Sequence, residues 1–480
     1  MHLPMQFEMT AQEEALFKTI AQAAQKLGFP TYVIGGYVRD RLLGRSSKGK
    51  DLDLVCVGSG IELAKAIAKC LKPQPKVVTY ARFGTAALHH KDWEIELVGA
   101  RKESYRPESR KPIVEDGTLE DDQNRRDFTI NALAISLNEA DFGQLLDPFG
   151  GLADLEAKCI RTPLAPETTF SDDPLRMMRA IRFASQLGFE IEEKTFAAIQ
   201  SERERIHIIS QERISSELNK IMLSTKPSLG LSLLFKSGLL ELIFPELYAM
   251  HGVDEKEGVR HKDNFWHTLK VVDNMAEKSD DLWMRWSALL HDIAKPLTKR
   301  YFKGQGWSFH GHEAVGGKLV PKIFKRFKLP LDQKMKKVQK IVSMHQRPIL
   351  LTQDRENITD SAIRRLLFEA GDDLEDLLLM CEADSTTANP KKLARYADNL
   401  IFLRQRLQEV EEKDHLRQWQ PPISGEEIME TFQIKPSKQV GQLKNAIREA
   451  ILDGLIANEY EAARNFMLEQ AAAMDLFPKK

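Results

Sequence analysis

The stretch Asp51–Val55 (DLDLV) constrains this chain more than any other. Its apolar residues alternate with two carboxylates, and side chains of a strand alternate faces. Leu52 and Leu54 therefore point into a core, while Asp51 and Asp53 share the opposite face. Carboxylates held side by side repel unless something cationic lies between them. A hard divalent cation with oxygen ligands meets that need, as would Arg or Lys; a solvent-facing amphipathic strand is the plainer alternative.

The preceding residues narrow the choice. Thr31–Ile34 is a short β-like run, Gly35 and Gly36 break it, and Tyr37–Leu43 has helical spacing closed by Gly44. In a strand–glycine turn–helix unit, a phosphate can approach the backbone and meet the N–H groups and positive dipole end of the helix. Arg39 adds a charged donor. A phosphate cradle followed by paired carboxylates describes a site for a nucleoside triphosphate and its magnesium ions. GGYVRDRLLG followed by DLDLV resembles the head of the class II tRNA nucleotidyltransferases and bacterial poly(A) polymerases, members of the DNA polymerase beta-like superfamily. The resemblance implies an α+β chain, with a small mixed α/β nucleotidyltransferase head followed by all-α neck, HD and tail domains.

With 480 residues the chain is long enough for several domains. Its net charge of −1 does not advertise nucleic-acid binding, so an RNA surface must be a local basic face. The four cysteines are scattered without a CxxC, which argues against a disulfide framework or a cysteine zinc site and fits a reducing cytosol. No signal peptide is evident, and no run approaches ~18 apolar residues, so no membrane span is expected.

Glu13–Leu27 and Ile61–Leu71 read as helices; Lys76–Tyr80, Thr85–His89 and Glu94–Val98 read as strands. A two-metal phosphoryl-transfer site usually takes a third carboxylate from a neighbouring strand. Glu94 or Glu96 can serve, and the family pattern favours Glu96. Arg101–Asn124 is long, polar and mixed in charge, and is expected to be a mobile loop. In the family, an Arg and an Asp at the positions of Arg126 and Asp127 lie beside the sugar and phosphates of the incoming nucleotide. Asp147–Gly151 is a turn by chemistry, and beyond Leu152 the pattern is almost entirely helical.

Ser171–Pro174 is expected to start a helix that runs through Phe183, with Ser or Asp as N-cap. Asp173 and Arg176 share a face of it. Cytosine and adenine both present an amino donor beside a ring-nitrogen acceptor, so a carboxylate and a guanidinium together suit C and A and mismatch U and G. An ordinary surface ion pair is the plain alternative. DDPLRMMRAIRF resembles the family's base-selecting motif, which also brings Arg179 and Arg182 toward the nucleotide. The charges of the following Ile209–Ile221 segment, Glu217 and Lys220 among them, are expected to brace neck helices.

A second constellation lies mid-chain. His267, His291–Asp292, His312, His345 and Asp384 follow the order of an HD phosphohydrolase, with Lys295 as the trailing basic residue and His312 preferred over His310. Imidazoles with two carboxylates suit manganese, nickel or iron, with magnesium as an alternative, and six ligands would hold two metals bridged by Asp292. A structural HD domain without activity is the alternative. The basic stretches Lys322–Lys340 and Lys391–Arg395 are candidates for tracking an RNA backbone or for solvated helix faces.

The resemblance thus implies a head at 1–150, a helical neck at 151–255, an HD domain at 256–390 and a tail at 391–480 without chemistry of its own. It implies CCA addition to tRNA from CTP and ATP in the cytoplasm, with magnesium at Asp51 and Asp53, Glu96 as third carboxylate, and Gly35, Gly36 and Arg39 around the triphosphate. Poly(A) polymerase and CC-only or A-only addition are the alternatives within the class. An HD metallophosphohydrolase with a nucleotide-sensing head is the alternative from another class, and the oligomeric state stays open.

Overall fold

The computed structural model describes residues 5–45, 50–106, 109–353, 355–414 and 422–478. The chain divides into two compact units, Met1–Pro245 and Glu246–Lys480.

The first unit opens with α1 (Ala11–Leu27), β1 (Thr31–Ile34), α2 (Gly36–Leu42), β2 (Lys50–Cys56), α3 (Gly60–Cys70), β3 (Val77–Tyr80), β4 (Thr85–His90) and β5 (Trp93–Gly99). It continues through β6 (Arg101–Arg106), β7 (Ser109–Asp116), α4 (Leu119–Asn124), β8 (Ala134–Ser136) and β9 (Leu145–Leu146). Seven of these strands form one mixed sheet in the order β3-β4-β5-β2-β1-β8-β9. Only β2 and β5 run parallel in it, at the centre. The expected alternation holds: Leu52, Leu54, Ile95 and Leu97 are buried on one face, under α3, while Asp51, Asp53, Glu94 and Glu96 take the other.

Arg101–Asn124 is not an open loop. It folds as the antiparallel hairpin β6–β7 followed by α4, whose Thr118 and Asp121 form a capping box. Its polar composition misleads because a two-stranded ribbon need not bury an apolar face, and the helix is secured by its cap and by the buried Asp122, clasped by Arg125 and Arg126.

The helical continuation comprises α5 (Gly151–Glu156), β10 (Cys159–Ile160), α6 (Pro166–Asp172), α7 (Leu175–Leu187), β11 (Glu190–Ile191), α8 (Glu193–Glu202), α9 (Gln211–Met222), α10 (Pro227–Lys236) and α11 (Leu239–Ile243). The Asp147–Gly151 turn forms as expected, and both Asp147 carboxylate oxygens accept from the first N–H groups of α5 at 2.7 and 3.0 Å. One expected helix start is corrected. Ser171 and Asp172 end α6 rather than cap α7, because Asp173 precedes Pro174 and is driven to extended backbone (φ −137°). Asp173 still satisfies the new helix by accepting from the Leu175 N–H at 3.2 Å.

The second unit runs α12 (Pro245–Tyr248), β12 (Glu255–Lys256), β13 (Val259–Arg260), α13 (Asn264–Lys278), α14 (Leu282–Leu290), α15 (Lys295–Thr298), β14 (Arg300–Phe302) and β15 (Gly306–Ser308). Then come α16 (His312–Arg326), α17 (Gln333–Met344), α18 (Arg347–Leu351), α19 (Asp360–Ala370), α20 (Leu374–Asp384), α21 (Pro390–Asp414), α22 (Gly425–Phe432), α23 (Lys438–Leu452) and α24 (Tyr460–Ala472). The pairs β10–β11, β12–β13 and β14–β15 interrupt the helical pattern that was expected after Leu152. Trp286 is fully buried against Phe324 and Phe327. Three cations of the basic stretch at Lys322–Lys340 are engaged internally, Lys337 with Asp281 and Asp376, Lys340 with Asp373 and Arg326 with Glu246, while Lys322, Lys325, Lys328, Lys334 and Lys336 are exposed. No helix among the described residues is long and apolar enough to cross a membrane.

A Cβ added at Gly151 would lie 2.5 Å from the Thr129 carbonyl oxygen, a backbone atom. Gly151→Ala is expected to cost about 1–3 kcal/mol by overpacking. Urea unfolding of the purified chain checks this, and an unchanged midpoint would refute it.

Candidate active sites

The central parallel pairing builds the first site. Its register sets Asp51 beside Glu94 and Asp53 beside Glu96. All four carboxylates line one cavity of about 1100 Å³, together with Gly36, Arg39, Arg179 and Arg182. Burial raises the pKa of Asp53; Arg126 opposes that shift, while Glu96 and Asp51 add to it. A group of oxygen donors with this much mutual repulsion fits a hard divalent cation, which Asp51, Asp53 and Glu96 would hold.

Gly35 explains how the cradle sits so close to these acids. Its φ is +90°, and a Cβ there would lie 3.0 Å from an Arg126 guanidinium nitrogen and 3.3 Å from Asp53 Oδ2. Arg39, on α2, is nearly buried. It donates to Asp40 at 2.8 and 3.0 Å and to Asn131 Oδ1 at 2.8 Å. Arg126 reaches Asp122 rather than open solvent, at 3.0 and 3.1 Å.

Asp127 is fully engaged. Arg179 donates to Oδ2 at 2.6 Å, and Oδ1 accepts from Asn131 and from the Phe128 N–H, each at 3.0 Å. Burial works against its charge, yet Arg179 and these hydrogen bonds pull its pKa down to about 2. Arg182 pairs with Glu217 at 2.6 Å, and Glu217 also takes Lys220 at 3.3 Å, so these charges brace the neck as expected. Phe183, which the sequence reading did not single out, carries the guanidinium groups of Arg182, Arg39 and Arg179 at 3.9, 4.9 and 5.5 Å from its ring centre. Asp122 was also missed; its spacing of three and four residues from Arg125 and Arg126 was the available signal.

The Arg176 N–H donates to the Asp173 carbonyl at 2.9 Å, but among the described residues no bond joins their side chains. Arg176 is buried and donates to the carbonyls of Arg125 at 2.6 Å and Thr169 at 3.4 Å. Among the described residues, the cavity wall includes Arg179 and Arg182 but not this pair.

The second site collects all six mid-chain ligands around Asp292. Its Oδ2 lies 3.1 Å from His291 Nε2 and 3.6 Å from His267 Nε2, while Oδ1 lies 3.1 Å from His312 Nε2 and 3.9 Å from His345 Nε2. Asp384 adds an oxygen 3.0 Å from His267 Nε2. Each Nδ1 faces an oxygen: Thr386 Oγ1 for His267, and the carbonyls of Ala288, Phe309 and Val342 for His291, His312 and His345, at 2.8 to 3.0 Å. Donation from Nδ1 leaves the Nε2 lone pairs converging on the centre. His291 Nε2 is buried without a well-formed hydrogen bond, while Asp292 Oδ2 is ion-paired with Lys295 Nζ at 2.6 Å. Two ligand triads, His267–His291–Asp292 and Asp292–His312–His345, each have their donor atoms within 4.8 Å of one another. These donors fit divalent metal ions, with Asp292 common to both triads. Without such ions, burial opposes charge on His291, but Asp292 and Asp384 push its pKa up to about 10; burial and the His291 charge push His345 down to about 4. His310 is exposed and stands outside the cluster.

Together the two units carry a nucleotidyltransferase head and a buried histidine–aspartate metal centre. Residues 31–161 match the poly A polymerase head domain, 188–250 a probable RNA and SrmB-binding site of polymerase A, and 264–389 the HD domain. The chain is 32% identical over 355 residues to an A-adding tRNA nucleotidyltransferase of Deinococcus radiodurans, covering 72% of this chain and 78% of that protein. It is 33% identical over 368 residues to a multifunctional CCA protein of Nitrosococcus oceani, covering 74% and 84%. Its fold resembles that of the Bacillus stearothermophilus CCA-adding enzyme solved with CTP, with TM-score 0.65, 23% identity, and 97% and 99% of the two chains covered. The Thermotoga maritima CCA-adding enzyme solved with tRNA gives TM-score 0.60 at 22% identity, with 96% of each chain covered. The chain belongs to the class II CCA-adding tRNA nucleotidyltransferase family with an HD domain. It is a nucleotidyltransferase.

Two outcomes follow. Asp127 has its folded pKa depressed from 3.8 to about 2, so its contribution is present above 3.8 and lost as pH falls toward 2. The stability gap between wild type and Asp127→Asn should therefore shrink over that interval, measured by urea unfolding; a gap that does not change with pH would refute it. For the second site, adding manganese or nickel to the chelator-treated chain should stabilise it by about 2.7 kcal/mol at a hundredfold excess over Kd, read as a higher melting temperature. Asp292→Asn should remove that response.

Proposed function

We propose that this chain adds C, C and A to the 3′ end of tRNA from CTP and ATP. The observation that carries the reading is the β2–β5 register, which sets Asp51 and Asp53 opposite Glu94 and Glu96 on the wall of a cavity that also holds Gly36 and Arg39. Asp51 and Asp53, with Glu96 as third carboxylate, would hold magnesium, which would supply Lewis-acid chemistry toward the tRNA 3′-hydroxyl and the departing pyrophosphate. The hydroxyl oxygen bonds to the α-phosphorus of the incoming nucleotide, and the bond to the β-phosphate bridge breaks.

The chain's own residues position the reactants. Gly35 and Gly36 admit the triphosphate to the backbone, and Arg39 stands at its edge on a braced guanidinium. The Asp127–Arg179 pair joins this cradle to α7, and Arg126 and Arg182, held by Asp122 and Glu217, stand with it beside the nucleotide's sugar and phosphates. Asp173 and Arg176 select the base: the carboxylate accepts from the exocyclic amino group, and Arg176 donates to the ring nitrogen. The six residues of the HD centre would hold manganese, nickel, iron or magnesium, which would supply Lewis-acid chemistry for hydrolysing phosphate esters, with 2′,3′-cyclic or 2′-phosphates at RNA ends as the substrates. A tRNA-maturing activity of this kind places the protein in the cytoplasm.

The A-adding relative supports a second reading, in which only the terminal A is added. Incorporation of labelled CTP or ATP into transcripts ending before CCA, after C and after CC separates the two. Two C additions and one A, then a stop, are expected. Incorporation confined to A on the CC transcript selects the second reading, a long A ladder indicates poly(A) polymerase, and no incorporation removes the head's role. Asp53→Ala should abolish incorporation. Asp173→Ala should weaken discrimination against UTP and GTP by about tenfold or more.

A further inference from the structure

A cavity of about 790 Å³ adjoins the histidine–aspartate centre. His267 and Asp384 form part of its wall, and the rest comes largely from outside the metal ligands. Arg395 and Tyr396 reach it from α21, which begins at Pro390, just beyond the segment that matches the HD domain. Lys262 and Arg355 add two more cations to the lining, against one carboxylate besides the ligand Asp384, that of Asp398.

We propose that Arg395 and Tyr396, from the first helix of the tail, position the substrate of the HD centre in this cavity, Arg395 paired with the phosphate and the nucleoside base against Tyr396. This rests on the reading of the HD centre as a hydrolase. Three observations support it. The volume lies in the range of small-molecule sites, roughly 300–1000 Å³, well beyond what a phosphate alone occupies. The excess of cations suits an anion, and a guanidinium pairs a phosphate in two parallel hydrogen bonds. Tyr396 is half-buried and offers a ring, and stacking on an aromatic face tolerates any base.

The geometry also ties α21 to the metal ligands. Thr386, in the link between α20 and α21, lies 3.0 Å from His267 Nδ1. Asn399 of α21 donates to the Thr352 carbonyl at 3.2 Å, and the Arg355 guanidinium lies 5.1 Å from the Phe402 ring centre. The first helix of the tail is thereby part of the substrate site. In the reaction, a water oxygen bonds to phosphorus and the bond from phosphorus to the ribose oxygen breaks. The ribose oxygen leaves as a hydroxyl, taking a proton that originates from the water.

The test uses the full chain and two phosphate monoesters, uridine 2′-monophosphate and p-nitrophenyl phosphate. Uridine is chosen because the head is expected to refuse its base. Arg395→Ala should raise KM for uridine 2′-monophosphate about tenfold with kcat nearly unchanged, and leave p-nitrophenyl phosphate kinetics as in wild type. Tyr396→Ala should do the same and Tyr396→Phe should not. Calorimetric titration of uridine 2′-monophosphate into the chelator-treated chain should show a matching loss of affinity in Arg395→Ala. Incorporation of labelled nucleotide into tRNA serves as the folding control for every variant. Variants that match wild type in both KM and Kd would overturn the proposal. If wild type hydrolyses neither ester, the hydrolase reading fails by itself; calorimetry then decides the cavity, with weaker binding in Arg395→Ala supporting it and equal binding overturning it.

Discussion

Four carboxylates on one face of two adjacent strands repel one another, and the head is built around containing that repulsion. The parallel pairing of β2 with β5 creates the problem by placing Asp51 beside Glu94 and Asp53 beside Glu96. The opposite face of the same strands supplies the compensating burial, with Leu52, Leu54, Ile95 and Leu97 at 0 to 1% exposure. Arg126 brings positive charge toward Asp53, but it is itself divided with Asp122. The four clustered carboxylates suit a divalent cation, and Arg39, Arg41, Arg45, Arg179, Arg182 and Lys220 on the same cavity lining offset their charge.

The first unit solves the reverse problem at its arginines. Arg39, Arg179 and Arg182 converge on Phe183, where like charges would push apart. Each is therefore tied to an acceptor: Arg39 to Asp40 and Asn131, Arg179 to Asp127, Arg182 to Glu217. Because Asn131 bonds both Arg39 and Asp127, the cradle and α7 share one hydrogen-bonded network. Asn131 thereby links the setting of Arg39 to that of Asp127 and, through Arg179, to α7. The second unit relies on a different device. Three of its four histidines are oriented by carbonyls three residues back, and His267 by Thr386, 119 residues on, so much of the site's geometry is encoded locally.

Much of this was legible in the residues. Alternation around Asp51 and Asp53, the glycine turn before α2, and the order of His267, His291, Asp292, His312, His345 and Asp384 are local patterns, and the structure brings each group together. The segment at 101–124 was misread because a short ribbon has no apolar stripe to announce it, and the start of α7 was displaced because Pro166 opens an additional helix upstream. The role of Phe183 and the meeting of Arg395 and Tyr396 with His267 and Asp384 on one cavity wall had no comparable local signature.

By itself, then, the sequence determined which residues carry carboxylates, imidazoles and glycines at spacings that suit phosphate and metal chemistry, because those spacings are periods of strands and helices. Only the tertiary structure decided that β2 lies parallel to β5 in the register that gathers four acids. It also decided that Asp127 is held by Arg179, 52 residues away, and that α21 closes the cavity beside His267. The physical reason is the same throughout: strand register, buried ion pairs and cavity walls depend on contacts between segments distant in the chain, and a local pattern carries no information about which distant surface will meet it.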